Sequence, residues 1–147
     1  MAFALRPATL ADVPALLPRS RALQDHEGIE ISDEALDSAM RVMLADSSLG
    51  CVFVVEDGGR DVGYAFIAYS FDLEFGGREA WLTELFIDDA VRGRGAGAFA
   101  LAAIELELRA RGVHAYHLQV REESPALRLY ERAGMNRVPR LIMSKKL

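Results

Sequence analysis

Phe3 to Arg6 is a short apolar–polar start that reads as a first strand. Thr9 then stands where an N-cap is needed, with Asp12 three residues on and Pro14 in the first turn. Val13, Leu16, Leu17, Ala22 and Leu23 carry a predicted helix to about His26. A polar, acidic connection runs from Asp25 to Glu30. Ser32 caps a second predicted helix, whose first turn holds Asp33 and Glu34 where the macrodipole favours acids. Leu36, Met40, Met43 and Leu44 form its apolar stripe. The period then changes. The β-branched and aromatic run from Cys51 to Val55 predicts a buried strand, and Gly58-Gly59 a hairpin turn, because glycine reaches positive φ without penalty. Val62 to Phe71 and Ala80 to Ile87 are further strands, separated by a turn at Gly76-Gly77, and the three should form an antiparallel meander. Gly95 to Arg111 reads as a helix stopped by Gly112, His114 to Val120 as a strand, Pro125 to Ala133 as a helix ended at Gly134, and Leu141 to Lys146 as a closing strand. The order β-α-α-β-β-β-α-β-α-β predicts an α+β fold, a mixed, mostly antiparallel sheet flanked by helices.

Composition narrows the class. At 147 residues, 51% hydrophobic and 27% charged, the chain is read as one domain over residues 1–147, large enough to bury a core. A net charge of −5 without clustered Lys and Arg argues against nucleic acid as a partner. No apolar run approaches a bilayer span, so no membrane partner is expected. The N-terminus lacks the pattern of a signal peptide and a single cysteine cannot form an internal disulfide, so the expected location is cytoplasmic. Cys51 lies in a buried run and reads as packing rather than nucleophile. His114 and His117 are three apart on a predicted strand and so face opposite sides, and His26 is isolated; no metal is expected.

The segment Val91-Arg92-Gly93-Arg94-Gly95-Ala96-Gly97-Ala98 follows a strand and opens a helix. Free N–H groups at a helix start carry partial positive charge and hold phosphate well, and glycines let the anion come close. A plain glycine-rich loop with solvated arginines fits the same residues. A P-loop would need Gly-Lys-Ser/Thr, which is absent. Gly95-Ala96-Gly97-Ala98-Phe99-Ala100 fits a dinucleotide fingerprint, with Glu122 or Glu123 at about the expected distance. Its context is wrong: two arginines and several further residues separate Ile87 from Gly95, and too little chain follows for a doubly wound sheet.

Three segments together, Glu84-Leu85-Phe86-Ile87, Arg92 to Gly97, and Ala126-Leu127-Arg128-Leu129-Tyr130-Glu131-Arg132-Ala133-Gly134-Met135, resemble the GNAT (GCN5-related) N-acetyltransferase family. The middle one is similar to the family's Arg/Gln-x-x-Gly-x-Gly/Ala motif. The last is similar to its Ala-x-x-Leu-Tyr-Glu-x-x-Gly-Phe motif, with Met135 for Phe. Where the family often has Asn, three residues before Ala126, this chain has Glu123, an acid that would repel phosphate.

The resemblance implies transfer of acetyl from acetyl-CoA, as co-substrate, to a primary amine of a small molecule or an exposed peptide amino group, by direct attack in a ternary complex. It implies a homodimer as well. Arg92, Gly93, Arg94, Gly95, Ala96, Gly97 and Ala98 would hold the pyrophosphate, with Glu123 and Ala126 beside the cofactor. The backbone of Leu85, Phe86 and Ile87 would pair with the pantetheine arm like an added strand, and the amide near Ile87 would face the thioester oxygen. Tyr130 matches the motif tyrosine and would protonate the leaving thiolate; as a core tyrosine it would only pack against Leu127. Glu84 lies among Trp81, Leu82, Leu85 and Phe86, which would raise its pKa toward that of a base; as an ordinary strand carboxylate it would face solvent or pair with arginine, leaving deprotonation to water. Asp25, Glu27, Glu30, Asp33 and Glu34, with Asp72 and Glu74, would suit a cationic amine, but read more simply as solvated loop and helix-start residues. Tyr64, Tyr69, Phe71 and Phe75 would line an acceptor pocket or fill strand core. The alternative function is a catalytically silent acyl-CoA-binding module of the same fold. A further one, a nucleotide-dependent oxidoreductase, rests on the fingerprint alone.

Overall fold

A computed structural model describes residues 2–147. In chain order it contains β1 (Phe3–Pro7), a 3-10 turn (Leu10–Asp12), α1 (Val13–His26), α2 (Asp33–Ala45), β2 (Gly50–Asp57), β3 (Arg60–Asp72), a second 3-10 turn (Leu73–Phe75) and β4 (Gly77–Ile87). A third 3-10 turn (Asp89–Val91), α3 (Ala96–Ala110), β5 (Ala115–His117) and α4 (Leu127–Arg132) complete it. The sheet order is β1-β2-β3-β4-β5, with β1 to β4 antiparallel and β5 parallel to β4. This is the mixed, mostly antiparallel sheet expected of the sequence. No helix among the described residues is long and apolar enough to cross a membrane.

Local chemistry explains the element starts. Ser32 Oγ accepts from the Ala35 N–H at 3.1 Å, the cap that its position predicts. Asp12 takes the N–H of Thr9 at 2.7 Å and a two-pronged ion pair from Arg6, fixing β1 against the start of α1. Gly58 and Gly59 both have positive φ in the β2–β3 hairpin. Gly50 permits a contact no other residue could make: a Cβ there would lie 1.9 Å from the Ile67 carbonyl oxygen.

Two cores lie on opposite faces of the sheet. On one face α3 presses Leu101, Ile104 and Leu108 against Phe53, Ala65, Ile67, Ala80 and Leu82. On the other, α1 and α2 place Val13, Leu16 and Met40 against Val52, Tyr64 and Phe66.

Three expected elements differ. The strand expected over His114 to Val120 is only Ala115–His117, because β4 bends away after Trp81 and leaves nothing to pair with. The helix expected from Pro125 to Ala133 is Leu127–Arg132. The closing strand expected over Leu141 to Lys146 does not form: the residues from Asn136 to Leu147 are all exposed and the last seven make no hydrogen bond among the described residues. The apolar pattern there was real, but a strand also needs a neighbour.

Candidate active site

The bend in β4 creates the site. Leu82 pairs with Ile67 and Glu84 with Phe66, so Thr83 is an extra residue in β4, and its hydroxyl donates to the Phe66 carbonyl at 3.2 Å. Such a bulge bends a strand and reverses which side its later residues face. Before it, Ala80 and Leu82 face α3; after it, Leu85 and Ile87 do, and Glu84 and Phe86 turn toward α1. The β4–β5 ladder ends at Trp81 and His117, just before the bulge. Beyond that rung the strands part. Leu82 to Leu85 and Ile87 form one wall of a cleft of about 1210 Å³, and Leu118, Gln119 and Val120 the other.

The glycine loop closes one end of this cleft, with Arg92, Gly93 and Gly95 to Ala98 on its lining. Gly93 and Gly95 have φ of +78° and +87°, a region costly for residues with a Cβ. Only from Phe99 onward does the α3 ladder close, with the Phe99 N–H donating to Gly95. The N–H groups of Gly93, Gly95, Ala96, Gly97 and Ala98 have no main-chain acceptor among the described residues. Five free amides at a helix start make an anion cradle. Gly97 has a second reason to lack a side chain: a Cβ there would stand 2.9 Å from the Leu129 Cδ2 of α4. Arg92 is tied back onto the loop, to the Ile87 carbonyl at 3.2 Å and to Asp89 at 2.7 Å. Arg94 has no ion pair among the described residues. Glu123 and Ala126 also line the cleft.

Glu84 lines the cleft from the floor beneath α1. Its carboxylate accepts from the Tyr64 hydroxyl at 2.9 Å, the Ser20 hydroxyl at 2.9 and 3.2 Å, and Gln24 Nε2 at 3.2 Å. It is partly buried on the cleft lining and forms no ion pair among the described residues. Burial raises its pKa above the ordinary carboxylate value, opposed by the hydrogen bonds from Tyr64, Ser20 and Gln24. Tyr130, on α4, lines the cleft and packs against the α3-side core. Its hydroxyl makes no hydrogen bond among the described residues, and burial raises its pKa, so it stays protonated through neutral pH.

Ser20 and Gln24 were not singled out in the sequence. A signal for Ser20 was present: with Val13 and Leu16 it falls on the buried stripe of α1, and a buried hydroxyl needs a partner. Gln24 follows one turn later. Nothing local in the sequence announces the partner they share, since Glu84 reaches that face only through the bulge. Across the cleft Arg121 pairs with Glu27 at 3.2 Å, joining the end of α1 to the segment after β5.

The remaining candidates are placed elsewhere. Leu85 and Ile87 line the cleft, whereas the Phe86 ring stacks on Tyr64 at 5.6 Å on the other face. Tyr64 is fully buried, Phe71 is 73% exposed on the β3–β4 hairpin, and none of Tyr64, Tyr69, Phe71 and Phe75 lines the cleft. Asp25 and Asp33 both pair with Arg21, and Glu74 with Arg140. His114 Nδ1 meets the Phe75 carbonyl and His117 Nε2 meets Glu79, so the two imidazoles serve separate contacts. Cys51 is a buried free thiol whose pKa burial raises.

Solved structures share this architecture. An integron cassette protein from the mobile metagenome of Cole Harbour Salt Marsh matches with a TM-score of 0.84 at 26% identity, over 97% of this chain and 90% of its own. A predicted acetyltransferase with acetyl-CoA from Clostridium acetobutylicum matches with a TM-score of 0.78 at 22% identity, over 98% and 96%. An aminoglycoside N-acetyltransferase in complex with CoA matches with a TM-score of 0.82 at 15% identity, over 99% and 95%. No curated protein sequence matches significantly. The fold is thus that of the N-acetyltransferases, a mixed sheet parted beside a helix start. The family itself follows from the sequence: the acetyltransferase (GNAT) family model matches residues 19–135, most of the chain, and the chain belongs to that family.

Proposed function

We propose that the protein transfers an acetyl group from acetyl-CoA to a primary amine by direct attack within a ternary complex. The observation that carries this reading is the continuity of the cleft, from the five free amides at the start of α3, along the unpaired edge of β4, to Glu84. Residues Gly93 to Ala98 would hold the diphosphate, and the edge of β4 from Leu85 to Ile87 would take the pantetheine arm as an added strand. Acetyl-CoA supplies an activated acyl group on sulfur. Glu84 takes a proton from the incoming ammonium, directly or through one water, because burial has moved its pKa toward the working pH. Tyr130 gives its phenolic proton to the departing sulfur. Glu123, which the resemblance would set beside the cofactor, is of the wrong sign for phosphate, and Glu27 and Glu84 are the other carboxylates on the lining.

The test is incubation with acetyl-CoA and a mixed panel of small amines, amino acids, aminoglycosides and peptides, following free thiol and the mass of each acetylated product. Amine-dependent thiol release is expected. Calorimetric binding of acetyl-CoA without thiol release from any acceptor would favour a silent binding module, and tighter binding of NAD than of CoA would overturn the assignment of the loop.

A further inference from the structure

Three side chains hold Glu84, and they are not alike. Ser20 and Tyr64 are fully buried, and neither lines the cleft. Gln24 does line it. A carboxamide has a donor end and an acceptor end. Gln24 Nε2 donates to Glu84 Oε2 at 3.2 Å, and the reverse orientation would set two oxygens against each other. The other end, Gln24 Oε1, accepts no hydrogen bond among the described residues. Nor is it buried, since Arg21 Nε is the only buried side-chain atom without a partner among the described residues. An open acceptor thus stands on the one Glu84 partner that reaches the cleft. Its backbone is fixed as well: Gln24 lies in the last turn of α1, and its main-chain carbonyl accepts from the Ile29 N–H at 2.9 Å. The last turn of a helix carries partial negative charge, which favours a cation.

We infer that Gln24 touches the acceptor: its Oε1 takes one N–H of the incoming amine and selects primary over secondary amines. This role rests on the reading of the cleft as an acetyl-transfer site with Glu84 as its base. At the moment of attack the amine nitrogen has four directions, namely its own carbon, the acyl carbon and two more. In a primary amine those two are N–H bonds, and the site has two places for them, toward Glu84 and toward Gln24 Oε1. Held on both sides, the nitrogen cannot turn about its C–N bond, and its lone pair is left facing the thioester. An N-methyl amine brings one N–H to the same two places, so one acceptor loses its bond and meets a methyl group. Gln24 neither gains nor loses a proton, and the bonds made and broken are those of the transfer itself.

The test is a competition in one tube. The primary amine of the panel that drives the fastest thiol release is mixed with its N-methyl derivative at equal concentration, and the two acetylated products are separated by mass. The wild type is expected to favour the primary amine on the order of 10²-fold or more. Gln24→Met keeps the length of the side chain and removes the acceptor. It is expected to lower kcat/KM for the primary amine roughly tenfold or more and to narrow the product ratio by the same factor. A ratio of products does not depend on how much of the variant is folded. Ser20→Ala loosens Glu84 from its buried side and is expected to slow both amines alike, with the ratio of the wild type. Equal use of the two amines by the wild type overturns the role of Gln24. So does a Gln24→Met variant that slows both equally, which means that Gln24 acts only through Glu84. A ratio narrowed as far by Ser20→Ala as by Gln24→Met overturns it too, because selection would then follow from the placing of Glu84. In these three cases the acetyl-transfer reading stands. Wild type that releases no thiol with any amine overturns that reading, and the role of Gln24 with it.

Discussion

Glu79 and Glu84 lie on the same face of β4, on either side of the Thr83 bulge, the first buried and the second partly buried, and their surroundings differ in kind. Glu79 is 6% exposed and is taken up by structure: it accepts from Ser70 at 2.8 Å and meets His117 Nε2 at 2.7 Å, with His117 set between the Phe75 and Trp81 rings. Since His117 and Trp81 form the last rung of the β4–β5 ladder, this contact ties the two strands at the point where they part. Glu84 has only neutral donors, a pKa raised by burial, and a place on the cleft wall. The first carboxylate ties two strands together at the fork, whereas the second is held by hydroxyls and an amide on the cleft wall.

The sharpest way to break this comparison is to neutralise each carboxylate in turn. Glu84→Gln keeps the acceptor oxygen for Tyr64 and Ser20 and removes the base; thiol release at saturating acetyl-CoA and amine is expected to fall on the order of 10²- to 10⁴-fold, with the cooperative melt retained. Glu79→Gln is expected to leave turnover within a few-fold and instead to cost about 1–3 kcal/mol in denaturant unfolding, by weakening a buried bond. Exchanged outcomes would mean that the roles have been assigned to the wrong carboxylates.

Tyr130→Phe comes next in size. Turnover is expected to fall roughly 10²-fold, far more than the KM for acetyl-CoA rises, because the ring keeps its packing and only the proton donor is lost. Unchanged turnover would remove Tyr130 from the chemistry and leave it a core tyrosine.

A smaller effect separates the two carboxylates by pH. The Tyr64 hydroxyl favours the charged form of Glu84, so Tyr64→Phe leaves burial less opposed and moves the acid limb of kcat/KM to higher pH. Ser70→Ala removes the equivalent hydroxyl from Glu79 and should leave that limb where it is. Movement of the limb in the Ser70 variant, or none in the Tyr64 variant, would show that the limb does not belong to Glu84.

Most of the sheet and the glycine loop were legible because their causes are local. Ser32 and Gly58-Gly59 act within a few residues of themselves, and the alternation from Val62 to Ile87 needs only strands that are sequence neighbours. The Thr83 bulge was not legible: a bulge depends on register against β3, and no residue type marks it. Glu84 could therefore be read either as a base or as a solvent-facing acid, since its face was undetermined. Tyr64 was open in the same way, as pocket wall or core, and proves to be the buried partner of Glu84. The end of the chain failed for a third reason. Residues 141–146 have strand-like composition, but a strand forms only where an edge is offered, and within one chain this one is not paired.

The least effect, and the one that tests the cause of the raised pKa rather than its use, is on stability against pH. In the folded chain Glu84 holds its proton more tightly than in the unfolded chain, where a glutamate titrates near about 4.3. Between that value and the higher folded one, the folded state binds more protons, so the contribution of Glu84 to stability is full below the window and is lost as pH rises through it. Gln at position 84 does not titrate. The unfolding free energy of wild type minus that of Glu84→Gln should thus fall as pH rises from about 4.3 and level off once Glu84 is ionised in both states. Denaturant melts of the two proteins at matched pH values measure this difference directly, with every other group cancelling. The opposite slope, wild type gaining on the variant, would mean that the neutral donors outweigh burial and hold the carboxylate as an anion. Glu84 would then be a fixture of the fold like Glu79, and deprotonation of the amine would fall to water.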